Sequence, residues 1–412
     1  MSYGFSLAAF CLVCFGSATS NVQSDDEIRQ LQVVFRHGDR APTRKLSYLP
    51  VPFEKIWPNG EGQLTDKGVD QEFALGRWLR TQYPLFVPES YHASDIYARS
   101  TDSDRTISSA QAFLTGLYSC SKLNSCPLER YGISWKPIPV HTFNIKNDPD
   151  FVPSNCPRWR KLTYDVENSE LVQELMLKHR NLLSLLQRST NTTITTDKLF
   201  HIYDLLTCMR NSNITLPAWC TEDVFEELEK IHYYIRWALP KSSTDILRLN
   251  IGSFLKRLAD TLRRAARKDG HQNSPTVERV LVYSVHDTQV DYILSAFGYS
   301  DGKRVDTAGA VIFELIGPNS SVNEEDFRVK LRYKKGWRDN DGKYVKLTPC
   351  NNSSKEAGCR LNLVVDHLKK IWLDESDREK QCQLESTAQI QKFEWKILFS
   401  ATLLAFYHLF SQ

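Results

Sequence analysis

The run Val280–Val285 is apolar and β-branched and stops abruptly at His286-Asp287; the run Ile28–Phe35 stops in the same way at Arg36-His37-Gly38. Short runs of this kind, bounded by polar residues, are buried strands. Asp95–Arg99 is a shorter third candidate. Helical patterns accompany them. Thr65 caps one through Tyr83, with Val69, Phe73 and Leu79 as part of its apolar face, and another runs from about Asp102 to Leu117 with Ile107, Ala110 and Leu114 on one side. A third, Thr288–Phe297, is closed by Gly298 in C-cap position. Strand followed by helix, repeatedly, predicts an α/β sheet, and Ala310–Ile316 and Phe327–Tyr333 are further strands.

The middle of the chain has a different period. Leu171, Leu175, Leu182 and Leu186 recur at helical spacing, as do Val224, Leu228, Ile231 and Ile235, and then Ile251, Phe254, Leu258 and Leu262. Arg263, Arg264, Arg267 and Lys268 follow that last set and read as a solvated helix face. The predicted organisation is an α/β core in two parts, residues 21–153 and 271–385, with a mainly helical lobe at 154–270 inserted between them.

Both ends read as targeting signals. Residues 1–20 carry no Lys, Arg, Asp or Glu; an apolar run from Phe5 to Phe15 leads into Gly16-Ser17-Ala18-Thr19-Ser20. That run is too short to span a membrane and fits a signal peptide, cleaved near Ala18 or Ser20. At the other end, residues 386–412 comprise Ser386-Thr387-Ala388, a polar spacer to Lys396 and an apolar stretch from Ile397 to Phe410. This fits a membrane anchor, with a lipid-anchor signal and a spanning helix weighed equally; a terminal helix packed on the core is the third reading. The expected destination is the secretory pathway, on the extracellular or lysosomal side.

Cysteines agree with export. Of ten, Cys11 and Cys14 fall in the leader, leaving Cys120, Cys126, Cys156, Cys208, Cys220, Cys350, Cys359 and Cys382. An even set in an oxidising compartment predicts disulfides, for which eight cysteines allow 105 pairings. N-x-S/T sequons at Asn191, Asn213, Asn319, Asn351 and Asn352 are candidate glycosylation sites. The formal net charge of +3 gives no global field to gather nucleic acid, so anion recognition has to be local.

Three strand ends supply it. The first presents Arg36, His37 and Arg40; the second Arg99, in Tyr97-Ala98-Arg99-Ser100-Thr101-Asp102; the third His286 and Asp287. Ligands of open α/β sheets bind outside the carboxyl ends of the strands. Three guanidiniums match phosphate oxygens and cannot be deprotonated. An imidazole can attack phosphorus, and neighbouring arginines keep it neutral to lower pH. A carboxylic acid can protonate the leaving oxygen. Gly38 is expected to let the backbone approach the ligand. Arg-His-Gly alone fits any loop, and His286-Asp287 alone fits a capped helix start; together, in order and at strand ends, they are specific.

Arg36-His37-Gly38-Asp39-Arg40-Ala41-Pro42 resembles the RHGxRxP signature of the histidine acid phosphatases, notably their prostatic and lysosomal branch. The resemblance spans nearly all of residues 28–385 and includes Trp57–Thr65, Tyr97–Thr106, Pro137–Thr142, Asn155-Cys156-Pro157-Arg158, Leu216-Pro217-Ala218-Trp219 and Ser284–Thr288. It implies a mixed-sheet α/β core with a smaller helical lobe, and hydrolysis of phosphate monoesters, small molecules or phosphoproteins, through a phosphohistidine. It implies His37 as nucleophile, Arg36, Arg40 and Arg99 on the phosphoryl oxygens, His286 as stabiliser and Asp287 as general acid. No metal and no cofactor are expected. Cys156–Cys382 and Cys350–Cys359 look like pairs of the vertebrate relatives. Cys208 lacks its family partner, since Thr307-Ala308-Gly309-Ala310 holds no cysteine, which makes Cys220 the natural partner and leaves Cys120 with Cys126. These changes leave the family homodimer an open expectation.

Other polar residues fit lesser roles. Asp39 and Asp102 are expected to orient arginines, and His141 to make a structural hydrogen bond. Two alternatives stand beside the main reading. A phytase-like enzyme would share the motif but needs a more basic pocket. A catalytically idle adhesion ectodomain would not need His37 and Asp287 intact. A cysteine phosphatase is excluded in its usual form because no Cys precedes Arg at C-x5-R spacing; HExxH and GxxxxGK[ST] are absent as well.

Overall fold

The computed structural model describes residues 26–46, 52–120, 126–267, 278–350 and 354–384. The expected signal peptide, the C-terminal anchor segment, Asn351 and Asn352 lie outside the described residues. Among the described residues eight strands form one mixed sheet: β1 (Asp26–Arg36), β2 (Ile96–Thr101), β3 (His141–Phe143), β4 (Val280–Val285), β5 (Ala310–Pro318), β6 (Arg328–Lys334), β7 (Lys343–Val345) and β8 (Cys359–Arg360). The order is β3-β2-β4-β1-β5-β6-β7, with β8 paired to β6. β3, β2, β4 and β1 are parallel, while β5 to β8 run antiparallel to their neighbours.

β4 comes late in the chain yet sits between β1 and β2, with Val33 opposite Val282 and Ala98 opposite Val282. The carboxyl ends of the first, second and fourth strands therefore lie side by side, which brings the three polar strand ends together. The central strand is buried on both faces, as a parallel sheet covered by helices requires. Leu31, Val33 and Phe35 face one side and Val34 the other.

The first side is covered by α1 (Asp66–Gln82) and α2 (Asp104–Leu117). Thr65 caps α1, its Oγ1 accepting from Gly68 N at 3.1 Å. The two helices touch through Gly76, where a Cβ would strike the Phe113 carbonyl, and Gly116, where it would strike that of Phe73. The α1 face differs from expectation: Leu79 is fully buried but Val69 and Phe73 are about 40% exposed, and Gly68, Gln71, Glu72, Leu75 and Gly76 point inward instead. The close helix contact selects small residues at the seam, so hydrophobicity alone misreads the face.

The other side carries α3 (Pro157–Glu167), α4 (Glu170–Lys178), α5 (Arg180–Thr190), α6 (Thr196–Asn211), α7 (Glu222–Tyr233), a π-helical turn at Tyr234–Ala238, and α8 (Thr244–Arg267). α8 lies on the sheet, and Gln32 Nε2 donates to its Thr261 Oγ1 at 2.7 Å. α9 (Asp287–Ala296) follows β4 directly, and Gly298 closes it at φ +78°. α10 (Leu361–Leu368) and α11 (Glu375–Cys382) complete the chain described. No described helix is long and apolar enough to cross a membrane.

Among the described residues three disulfides are formed: Cys120–Cys126, Cys156–Cys382 and Cys350–Cys359. The expected Cys208–Cys220 pair is not; both thiols are free and buried. The two sulfurs sit in different surroundings, Cys208 on α6 and Cys220 in the loop before α7. Cys208 Sγ faces the guanidinium of Arg40, with Nη1 at 3.7 Å, while Cys220 lies near Arg210 and Glu222. Asn191, Asn213 and Asn319 are exposed.

Candidate active site

β1 delivers Arg36 and His37 at its end, where His37 N–H donates to the Val285 carbonyl of β4 at 3.0 Å. The carbonyl of His37 accepts from Ala308 N at 3.5 Å, and Ala308 holds the left-handed φ of 53°, an uncommon conformation for a residue with a Cβ. Gly38 has a packing role that the sequence did not announce. A Cβ there would collide with the backbone of Gly68, and one at Gly68 with the backbone of Asp39. The glycine pair lets the start of α1 seat against the loop after the strand.

The His37 ring is 3% exposed and its Nδ1 lies 2.8 Å from Gly38 O. A carbonyl only accepts, so Nδ1 carries the proton and Nε2 keeps its lone pair. Burial, reinforced by Arg105, Arg36, His286 and Arg40, holds the imidazole well below its ordinary proton affinity. The result is a neutral imidazole among guanidiniums, as a nucleophile toward phosphate needs.

Arg36 Nη1 donates to Val305 O at 2.6 Å and Nη2 lies 3.5 Å from Asp287 Oδ2. Burial and the nearby Arg304 bring it down to about 10. Arg40 is clamped by Asp204 of α6, Nη2 to Oδ1 at 2.7 Å and Nη1 to Oδ2 at 3.1 Å. Burial opposes the Arg40 charge but the carboxylate outweighs it, so its proton affinity rises. The same pairing depresses Asp204 against its own burial. The Arg40–Asp204 fork thus bolts the helical side to the signature loop.

Arg99 does not join this group. Its side chain is 1% exposed and paired with Asp148, at 2.6 Å, and with Asp150. It also lies 4.3 Å over the Phe143 ring, and Arg257 shares Asp150 at 2.8 Å. Side chains alternate along a strand, and at position 99 that alternation turns the guanidinium to the lobe side, where two carboxylates consume it. The arginine that reaches the site is Arg105, on the first turn of α2. Its Nη2 lies 3.3 Å from His286 Nδ1, and burial with Arg40 nearby brings it down to about 10. The signal was present in the sequence, in Asp102-Ser103-Asp104-Arg105-Thr106, six residues beyond Arg99.

His286 is fixed from both sides. Arg105 can only donate, so Nδ1 accepts and Nε2–H is directed to Thr101 Oγ1 at 3.2 Å. Burial, then Arg105, lowers it to about 3, so it is neutral. Its ring lies 5.5 Å from that of His37, edge-on. Asp287 is 8% exposed; Oδ1 accepts from Thr288 N at 2.9 Å and Oδ2 from Arg304 Nε at 2.6 Å. Burial opposes its charge, but Arg304 and Arg36 outweigh burial and hold the carboxyl well below its usual range.

Asp204, Arg105 and Arg304 are the residues that motif reading missed. Asp39 orients no arginine: its carboxylate accepts from Thr65 Oγ1 at 2.8 Å and Asn211 Nδ2 at 2.9 Å, tying the loop to α1 and α6. His141 makes a stacked contact with Tyr97 at 5.0 Å. His37, His286, Asp287, Arg36 and Arg40 are assembled at the carboxyl ends of β1 and β4, where the sequence placed them.

This assembly is that of an α/β phosphatase. The model of the histidine phosphatase superfamily (branch 2) matches residues 27–334, and the chain belongs to that superfamily. Lysosomal acid phosphatase of Xenopus laevis is 31% identical over 388 residues, covering 92% of this chain and 84% of that protein. Human prostatic acid phosphatase is 32% identical over 303 residues, 70% and 74% of the two chains. Among solved structures, the apo phytase of Hafnia alvei has the same fold, with a TM-score of 0.61 at 14% identity over 88% of this chain and 99% of that one.

Proposed function

We propose that the protein is an acid phosphatase that hydrolyses phosphate monoesters through a phosphohistidine on His37. The observation that carries this reading is the contact of His37 Nδ1 with Gly38 O at 2.8 Å: a carbonyl can only accept, so Nδ1 holds the proton and Nε2 is left unprotonated beside three guanidiniums. The phosphoryl oxygens lie among Arg36, Arg40 and Arg105. Nε2 attacks phosphorus, the P–N bond forms and the P–O bond to the alcohol breaks. Asp287 gives its proton to the leaving oxygen. Water then attacks the phosphohistidine, the Asp287 carboxylate takes the proton from that water, and the P–N bond breaks to release phosphate. Neutral His286 donates no charge of its own and holds Arg105 against Thr101.

Asp287 starts ionised, paired with Arg304 and Arg36. An arriving phosphoryl dianion competes for Arg36 and adds negative charge nearby, both of which raise the proton affinity of Asp287. Acidic medium completes the protonation, which accounts for acid activity. Kinetics of the chain from residue 21 to 385 on simple esters test the reading. Activity inhibited by vanadate and indifferent to EDTA supports it; absence of activity in a folded protein overturns it.

The same reading places the enzyme in the secretory pathway with glycans at the exposed sequons, held at a membrane by residues 386–412. Release of active enzyme by truncation after Glu385 tests this, and phosphatidylinositol-specific phospholipase C separates a lipid anchor from a spanning helix. A homodimer through the sheet edge is supported by β3, an edge strand whose three residues are all exposed, Phe143 by 43%. Sedimentation velocity tests it.

A further inference from the structure

Arg304 belongs to none of the motifs above, yet it is bonded to the carboxyl group assigned to the leaving oxygen. Its side chain is 10% exposed, Nε donates to Asp287 Oδ2 at 2.6 Å, and the guanidinium lies 5.5 Å over the Trp237 ring. Nη1 and Nη2 donate to no protein acceptor among the described residues. A guanidinium has five N–H groups in a fork built for oxyanions, and this one, nine-tenths buried, uses one. Trp237 belongs to the π-helical turn Tyr234–Ala238, a geometry concentrated at functional sites.

The position of Arg304 follows from that of Asp287. A general acid lies within hydrogen-bond reach of the leaving oxygen, so a cation on the same carboxyl stands beside the alcohol. Charge balance points the same way. Arg36, Arg40, Arg105 and Arg304 face two contacting carboxylates, Asp204 and Asp287, an excess of two positive charges that a phosphoryl dianion matches. When Asp287 holds the proton it will donate, the excess becomes three, and the unmatched charge is that of Arg304.

We infer that Arg304 is a specificity-determining residue, selecting phosphate monoesters whose alcohol carries a second anion, a carboxylate or another phosphate, a few bonds from the ester oxygen. The inference rests on the acid phosphatase reading. With a neutral alcohol, protonation of Asp287 strands a buried guanidinium; with an anionic alcohol the guanidinium exchanges one partner for another.

The test compares the wild-type enzyme with Arg304→Gln and Arg304→Lys on glycerol 1-phosphate, whose alcohol is neutral, and 3-phosphoglycerate, whose alcohol carries a carboxylate ionised at about pH 5. The wild type is expected to prefer 3-phosphoglycerate in kcat/KM by roughly 10–100-fold, the discrimination of one charge-assisted hydrogen bond. Arg304→Gln brings the ratio near unity and Arg304→Lys leaves an intermediate one. Only the ratio is read, because losing the Asp287 partner alters both rates. An unchanged ratio in either folded variant overturns the inference and leaves Arg304 a positioning residue for Asp287. A wild type that hydrolyses both esters without preference overturns it too, and one that hydrolyses neither overturns the phosphatase reading with it.

Discussion

Arg105 Nη2 donates to His286 Nδ1 across 3.3 Å, and that one contact decides both which nitrogen of His286 bears the proton and which arginine completes the site. Arg99, six residues earlier at the end of β2, is spent on Asp148 and Asp150. The two arginines therefore fail differently. Arg105→Ala is expected to lower kcat/KM by roughly 10²–10³-fold, the usual cost of one donor to a developing oxyanion, with the melting temperature little changed. Arg99→Ala leaves two buried carboxylates short of a partner and is expected to cost about 3–5 kcal/mol of stability. Thermal melts and steady-state kinetics on both variants check this; a stable, inactive Arg99→Ala would reverse the assignment.

Much of the site was legible because parallel strands end on one edge. Two apolar runs that stop at Arg36-His37 and at His286-Asp287 place those residues together once β4 inserts beside β1, and strand pairing does the rest. Arg99 misled because one residue along a strand reverses the face, and the acidic pair that claims it, Asp148 and Asp150, comes from a distant loop. Arg304 and Asp204 were invisible for a similar reason: they arrive from the loop after α9 and from α6, and no local pattern records that packing. The glycines at 68, 76 and 116 carried no sequence signal of their own, yet in the fold they, like Gly38, are contact surfaces.

Asp287 as general acid makes a leaving-group prediction. An alkoxide needs a proton to depart and nitrophenolate does not. Asp287→Asn is expected to slow alkyl phosphate hydrolysis by roughly 10²–10⁴-fold and to spare nitrophenyl phosphate in the phosphorylation step. Pre-steady-state bursts isolate that step; equal losses for both leaving groups there would assign Asp287 to orientation alone.

Acid should weaken the unliganded fold. His37 and His286 are held neutral below their ordinary range, His286 at about 3. Unfolded histidine takes up a proton near pH 6.5, so below about that pH the unfolded chain binds more protons and stability falls. Asp287 is depressed, so its contribution is present above the unfolded carboxyl value of about 3.9 and lost as pH falls toward its folded value. All three push the same way. Melting temperatures from about pH 7 to 4 should decline, and inorganic phosphate, binding only the folded site, should restore part of the loss. A flat or rising profile contradicts the protonation states given for the histidines.

The thiols offer a chemical count. Cys208 and Cys220 are free and buried. A chain lacking residues 1–20 should show two reactive thiols when denatured without reductant and almost none when native. No thiol on denaturation would mean that these two cysteines are bridged after all.

The claim on which the account turns is the P–N bond at His37. Asp287→Asn or the wild type is mixed with labelled nitrophenyl phosphate, quenched in alkali because phosphohistidine is acid-labile, and mapped by peptide mass spectrometry. The account predicts label on His37 and none elsewhere, lost in His37→Ala together with turnover. A His37→Ala enzyme that stays folded and still turns over, or label on another residue, would contradict it.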